Sequence, residues 1–215
     1  MLLSLLKITV MIASLCFSLT TSNGFINDTK PNELEDVSII VVRAALETVR
    51  QQMELQLMGL ESRGVYDGLS EEQITLLQEV LYTTPMDYHY DIKPMTISGK
   101  NREILEALVF GEAGDEGFIG QCLVAQCIRD TMYRLNTTDV MQVIKNFKYA
   151  GSIKKGTSQS CKDAVSFIFD NGGYVVKQRI IYFYAPKLVK SNFHESQDFV
   201  IEWGGHRFFD DSGWK

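Results

Sequence analysis

Residues 104–130 run Ile-Leu-Glu-Ala-Leu-Val-Phe-Gly-Glu-Ala-Gly-Asp-Glu-Gly-Phe-Ile-Gly-Gln-Cys-Leu-Val-Ala-Gln-Cys-Ile-Arg-Asp. In the first half, Ile104, Leu105, Leu108 and Val109 fall on one stripe of a helix. The same spacing carries Glu112 onto that apolar face. A carboxylate there gives up water, so its acid form is favoured and its pKa is expected to rise. A general acid working near neutral pH needs that shift. Gly111 and Gly114 flank Glu112 and leave room for a second backbone or a ligand to approach. A second helix, expected over 118–135, is apolar nearly all round as far as Ile128, the mark of a central core helix. Glu112 is therefore expected at the joint of two buried helices. The plainer alternative is a solvated glutamate at a helix end.

Downstream, Thr137 or Thr138 is expected to cap a short helix ending near Lys145. The stretch 147–156 is a basic, glycine-containing loop in which Lys148, Lys154 and Lys155 stand among Phe147 and Tyr149. A helix over 158–170 is closed by Asn171-Gly172-Gly173. A strand is expected over 179–184, and strands over 199–203 and 206–209 flank Gly204-Gly205, a two-residue hairpin signal. The fold class is thus α+β, mostly helical with a small antiparallel sheet near the C-terminus.

Upstream, Ile39, Val42, Leu46, Val49, Met53, Leu57 and Leu60 step by three and four, an amphipathic helix over 36–60. Ser70-Glu71-Glu72-Gln73 is a capping box opening a helix over 70–82, with Ile74, Leu77 and Val80 inward. These two helices are candidates for packing on the rest of the chain, for binding a protein partner, or for self-association. Residues 82–100 hold two prolines and no period, and are expected to be a linker. At the start, Lys7 precedes an apolar run over 8–19 and then Thr20-Thr21-Ser22, which reads as a signal peptide over 1–22 and hence export. A retained membrane anchor is the alternative, although the run is shorter than the roughly 20 residues of a spanning helix. The expected organisation is 1–22 signal peptide, 23–100 helical leader and linker, and 101–215 catalytic domain.

The chain has 215 residues and a net charge of −6. Residues 23–100 are acidic, with 6 Lys/Arg against 13 Asp/Glu, whereas 101–215 hold 14 of each. Nothing suggests a nucleic-acid surface. With Cys16 in the leader, Cys122, Cys127 and Cys161 remain, an odd number that makes no paired framework. They are expected to be buried free thiols, with one bridge from Cys161 to either helix cysteine left open. The three histidines, His89, His194 and His206, have no metal-ligand spacing, and no metal or cofactor is expected.

The segments 108–117 and 120–129 resemble the opening motif of the bacterial cell wall hydrolases of the SleB type, the spore cortex-lytic enzymes, where a Gly/Ala-Glu-Ala-x-x-Glu element precedes a small-residue-rich helix. Ile181-Tyr182-Phe183-Tyr184-Ala185-Pro186 resembles that family's Tyr-Phe-Tyr-Asn-Pro strand, and Gly204-Gly205-His206-Arg207-Phe208-Phe209 its Gly-Asn-His-x-Phe element. The three stretches come in the family's order across about half the chain. Asp130-Thr131 depart from a common Asn-Arg pair, and Ala185 and Gly205 each replace an Asn. The resemblance implies a lysozyme-like or lytic-transglycosylase-like domain that cuts peptidoglycan glycan strands between N-acetylmuramic acid and N-acetylglucosamine, with Glu112 as the catalytic acid.

Glycosidases pair two carboxylates roughly 5–9.5 Å apart across the bond they cut. Asp115 and Glu116 lie within a turn of Glu112 and point the same way, which places them poorly as its opposite. A single acid suffices if the muramic 6-hydroxyl closes onto C1, the lytic transglycosylase route that the resemblance implies. Hydrolysis assisted by Glu116, or by a more distant Glu195, Asp198 or Glu202, is the alternative. Tyr182 and Tyr184 alternate onto one strand face with Phe183 on the other, and aromatic faces suit sugar rings. His206 is a candidate to bind substrate or orient Glu112, Trp203 to line the groove, and Phe147 to contact sugar. Two rival readings stay open: a wall amidase or peptidase using Cys161 with His194 or His206, and a wall-binding or coat protein without activity.

Overall fold

The computed structural model describes residues 41–44, 59–61, 63–84, 87, 90, 92–149, 153 and 156–213. The expected signal peptide and nearly all of the helix over 36–60 lie outside them; 41–44 are helical. Residues Leu60–Lys215 form one compact unit. The elements of that unit are α1 (Glu71–Thr83), α2 (Gly99–Ala113), α3 (Gly117–Leu135), α4 (Val140–Phe147), α5 (Gln159–Val165), a π turn (Ser166–Asp170), β1 (Tyr182–Tyr184), α6 (Asn192–Glu195), β2 (Asp198–Trp203) and β3 (His206–Asp210). The mostly helical architecture with a late antiparallel sheet is the expected one.

Four of these helices, α1, α4, α5 and α6, begin at a side-chain cap. Ser70 accepts from Gln73 N–H while Gln73 returns a bond to Ser70 N–H, a complete capping box. Ser158 likewise accepts from Cys161 N–H at the start of α5. Asp139, and neither Thr137 nor Thr138, caps α4, and Thr137 instead accepts from Asp139 N–H. α3 is enclosed from Ile119 to Met132, with α2, α4, α5, the π turn and β1 packed around it. It is the central core helix.

A polar network runs through this core. Arg129, fully buried, donates to the carbonyls of Ile168 and Gly173 and to the Tyr90 hydroxyl, and lies against Asp130. Asp130 accepts from Tyr90 at 2.8 and 2.9 Å and from Ile180 N–H at 2.9 Å. Gln126 donates to the Val176 and Gln178 carbonyls and accepts from Val175 N–H. One helix thus satisfies the backbone of 173–180, a segment without its own ladder, and delivers it to β1. The π turn belongs to the same arrangement, since its Ile168 carbonyl is turned to Arg129.

Tyr90 makes residues 82–100 something other than the expected linker. Its buried ring and hydroxyl are part of the Arg129–Asp130 network, and Ile97, Leu77, Val80 and Leu81 are also in the core. The compact body starts at Leu60, not near residue 101. The expectation failed because prolines and missing periodicity describe the backbone, whereas a single buried tyrosine can tie an irregular segment down.

The sheet order is β1-β3-β2. Gly204 and Gly205 make the two-residue turn between β2 and β3, with Gly204 at φ 57° and Trp203 opposite His206. A register shift between Phe199 and Ile201 leaves Val200 as an extra residue turned into the core. The strand expected over 179–184 is shortened to 182–184, but Ile181 N–H still donates to the Phe209 carbonyl and Arg179 forks onto Asp210 at 2.7 and 3.0 Å.

Candidate functional site

α2 ends at Ala113, Gly114 and Asp115 make the turn, and α3 starts at Gly117. Glu112, in the last turn of α2, is half-buried. It lines a cleft of about 730 Å³ with Gly111, Asp115 and Glu116 from the same joint. Phe147, Lys148 and Tyr149 enter from the end of α4, residues 181–185 from β1 and its flanks, and Gly205 and His206 from the hairpin. Lys187, Leu188 and Val189 form part of the lining beyond β1, and Leu188 is 87% exposed. Residues from the joint, the strand and the hairpin, separated by up to about ninety positions, therefore share one cleft.

The strand supplies aromatic faces. Tyr182 meets Phe147 at 5.7 Å and the edge of Phe193 at 5.1 Å, and its hydroxyl accepts from Arg134 at 2.9 Å. Tyr184 stacks on His194 at 4.9 Å and donates to Glu195. Phe183 faces the other way, against Tyr149, His206 and Phe208. The expected alternation holds, yet Phe183 lines the cleft as well. β1 is an edge strand with no neighbour on one side, so residues on both its faces reach the same space.

Glu116 is not placed as a free carboxylate facing Glu112. Its Oε1 accepts from Gly205 N–H at 2.9 Å and stands 2.7 Å from His206 Nδ1. A Cβ on Gly120, Gly204 or Gly205 would come within 2.5, 2.9 or 3.1 Å of its side chain, so three glycines make the slot it fills. It ties the start of α3 to the hairpin. His206 therefore attends Glu116, where orientation of Glu112 was one expectation. Trp203 does not line the cleft. It lies half-buried at the end of β2, with its ring 3.5 Å from where a Cβ on Gly120 would stand. Glu195 pairs with Arg207, as does Glu202, while Asp198 is exposed on β2; none of these three lines the cleft.

Tyr149 carries more than its place in a basic loop suggested. Its hydroxyl is buried 3.7 Å from Cys127 Sγ, and burial, then the nearby Cys127 and Glu112, hold its pKa well above the ordinary tyrosine range. His194, absent from the expected sugar-binding set, lies half-buried between Tyr182 and Tyr184 with Nδ1 2.6 Å from Ser191 Oγ. Burial lowers its pKa, opposed in part by Glu195. Lys148 has φ 54° at the end of α4, a conformation in which a side chain is uncommon, and it is one of the cleft residues. The sequence marked His194 only as a possible base for Cys161; its place against Tyr182 and Tyr184 depends on β1, ten or more positions away.

Among the described residues the cysteines, Cys122, Cys127 and Cys161, are free and buried. Cys161 is outside the cleft that His194 and His206 line, and burial raises its thiol pKa. An activated thiolate needs the opposite shift and a base within reach. No group of three or more His, Cys, Asp or Glu gathers as metal ligands would among the described residues. None of their helices is long and apolar enough to cross a membrane.

No protein-family model and no curated protein matches the chain. Among solved structures it is similar to the catalytic domain of the germination-specific lytic transglycosylase SleB from Bacillus anthracis, at 19% identity and a TM-score of 0.40, over 55% of this chain and all of that domain. That likeness is a distant one.

Proposed function

We propose that this chain cleaves the glycan strands of peptidoglycan, with Glu112 as the acid that protonates the glycosidic oxygen. The observation that carries this is the shared cleft. The glutamate, the tyrosine strand and the hairpin histidine, which are the three stretches resembling the cell wall hydrolases, line one groove of sugar-binding size and aromatic character. Glu112 donates its proton as the C1–oxygen bond breaks and leaves a carboxylate. The muramic 6-hydroxyl then closes onto C1 and returns its proton to Glu112, giving a 1,6-anhydro end. A single-acid route is favoured because the other carboxylates lining the cleft are Asp115, on the same turn, and Glu116, held by the hairpin. Water attack calls for a base on the opposite face of the ring. Export to the wall and a cortex substrate are part of the same proposal, resting on the sequence alone.

Glu112→Gln keeps the shape and removes the proton, so degradation of purified sacculi should fall by roughly 10²–10⁴-fold or more, with unchanged circular dichroism. Near wild-type digestion by that variant refutes the assignment. In mass spectra the wild-type fragments should be lighter by one water than hydrolysis products and resist borohydride reduction. Reducible muramic ends alone would replace transglycosylation by hydrolysis.

A further inference from the structure

His206 and Glu116 form a second polar unit on the cleft, distinct from Glu112. His206 Nδ1 is enclosed and stands 2.7 Å from Glu116 Oε1, too oblique for an aligned hydrogen bond, and no described residue makes one to it. Two bare lone pairs at that distance repel, so the proton of the neutral ring belongs on Nδ1. Nε2 then carries a lone pair. Nε2 has no partner among the described residues and, unlike Nδ1, is not closed off from the cleft that the ring lines. Beside it stands Phe183, whose ring meets the imidazole edge-on at 5.1 Å and 88°. The carboxylate cannot drift away, because the Gly205 N–H holds it and the Gly120, Gly204 and Gly205 slot encloses it.

We propose that Glu116 is a positioning residue that fixes His206 in its Nδ1–H form, and that His206 Nε2 is a substrate-binding acceptor for an uncharged O–H or N–H donor on a sugar held against Phe183. A lone pair beside an apolar ring selects such a donor over a carboxylate or phosphate, which Nε2 in this form would repel. The ligand half of this inference rests on the proposed glycan substrate; the proton assignment does not.

The test is nitrogen-15 NMR of the histidine rings at about pH 8.5, above the ordinary imidazole range, with the His206 signals assigned by their loss in His206→Asn. Wild-type protein should show a protonated Nδ1 and a bare Nε2, the reverse of the form that free imidazole side chains prefer. Glu116→Ala should release the ring to that common form. A wild-type Nε2–H ring overturns the proposal outright, whether or not any variant folds. The ligand half is then read by adding the β-1,4 tetramer of N-acetylglucosamine and, separately, the matching glucose tetramer, which has hydroxyl in place of acetamido. An Nε2 shift with both probes identifies a hydroxyl donor, and a shift with the first alone identifies the acetamido N–H. No shift with either overturns the binding role while leaving the proton assignment standing. If Glu112→Gln retains activity but the ring is Nδ1–H, the fault lies in the proposed reaction and not in this pair.

Discussion

Arg129 has no exposed side-chain surface, and its guanidinium is spent on two carbonyls, a tyrosine hydroxyl and a carboxylate. Arg129→Met leaves the Ile168 and Gly173 carbonyls without that donor and strips buried Asp130 of its counter-charge, so it should cost about 3–5 kcal/mol in guanidinium unfolding. Asp130 itself is pushed up to about 6 by burial, although Arg129, the Ile180 N–H and Tyr90 pull it down. Its folded pKa thus exceeds its unfolded one, and the native state binds the extra proton between the ordinary carboxylate range and about 6. Asp130 should therefore lower stability as pH rises through that window. Asp130→Asn should flatten that part of the stability–pH curve, which unfolding midpoints at a series of pH values would show. His194 makes the complementary case, since burial depresses its pKa. Stability from His194 is present above pH 6.5 and lost as pH falls below it, and its proton NMR titration should have a midpoint under 6.5.

At the scale of elements, the hairpin and the start of α3 meet through one carboxylate. Gly120→Ala would set a Cβ 2.5 Å from Glu116 Cβ, an atom joined directly to the backbone at the start of α3 and so unable to swing aside. We expect a loss of about 1–3 kcal/mol and displacement of the hairpin, measured as a lower melting temperature together with loss of the His206 Nδ1–H signal. Gly156→Ala makes a useful control. Its backbone is left-handed, unlike that of helical Gly120, but nothing lies within 4 Å of a new Cβ, so it should cost backbone strain alone and leave the His206 signal in place.

At the scale of the molecule, residues 60–100 pack into the same body as the cleft. A chain beginning near residue 60 should unfold cooperatively. One beginning at 101 loses Leu77, Val80 and Leu81 from the core and Tyr90 from Asp130, and should be unfolded or aggregated. Far-ultraviolet circular dichroism and thermal melts of the two chains decide this. Cooperative melting of the shorter chain would show that the first forty residues of the unit are an accessory.

The local elements were written in the sequence. The Leu105–Leu108–Val109 stripe, the Ser70 capping box and the Gly204-Gly205 turn each depend on spacing over a few residues, and each is found where spacing puts it. The same holds for the enclosed run from Ile119 to Ile128, because a helix apolar on nearly all sides has only the core to occupy. The roles of polar groups were a different matter. Glu116 read as a spare acid beside Glu112, and Tyr90 as part of a linker, since neither pattern nor charge reveals which group a side chain will meet across the fold. Tertiary structure decided both: the turn N–H of Gly205 captured Glu116 across eighty-nine positions, and a buried arginine and aspartate captured Tyr90 at thirty-nine and forty. Burial makes such partners obligatory, because an unpaired polar group inside the protein costs more than the bond it forgoes; which partner satisfies it is settled only when the chain closes.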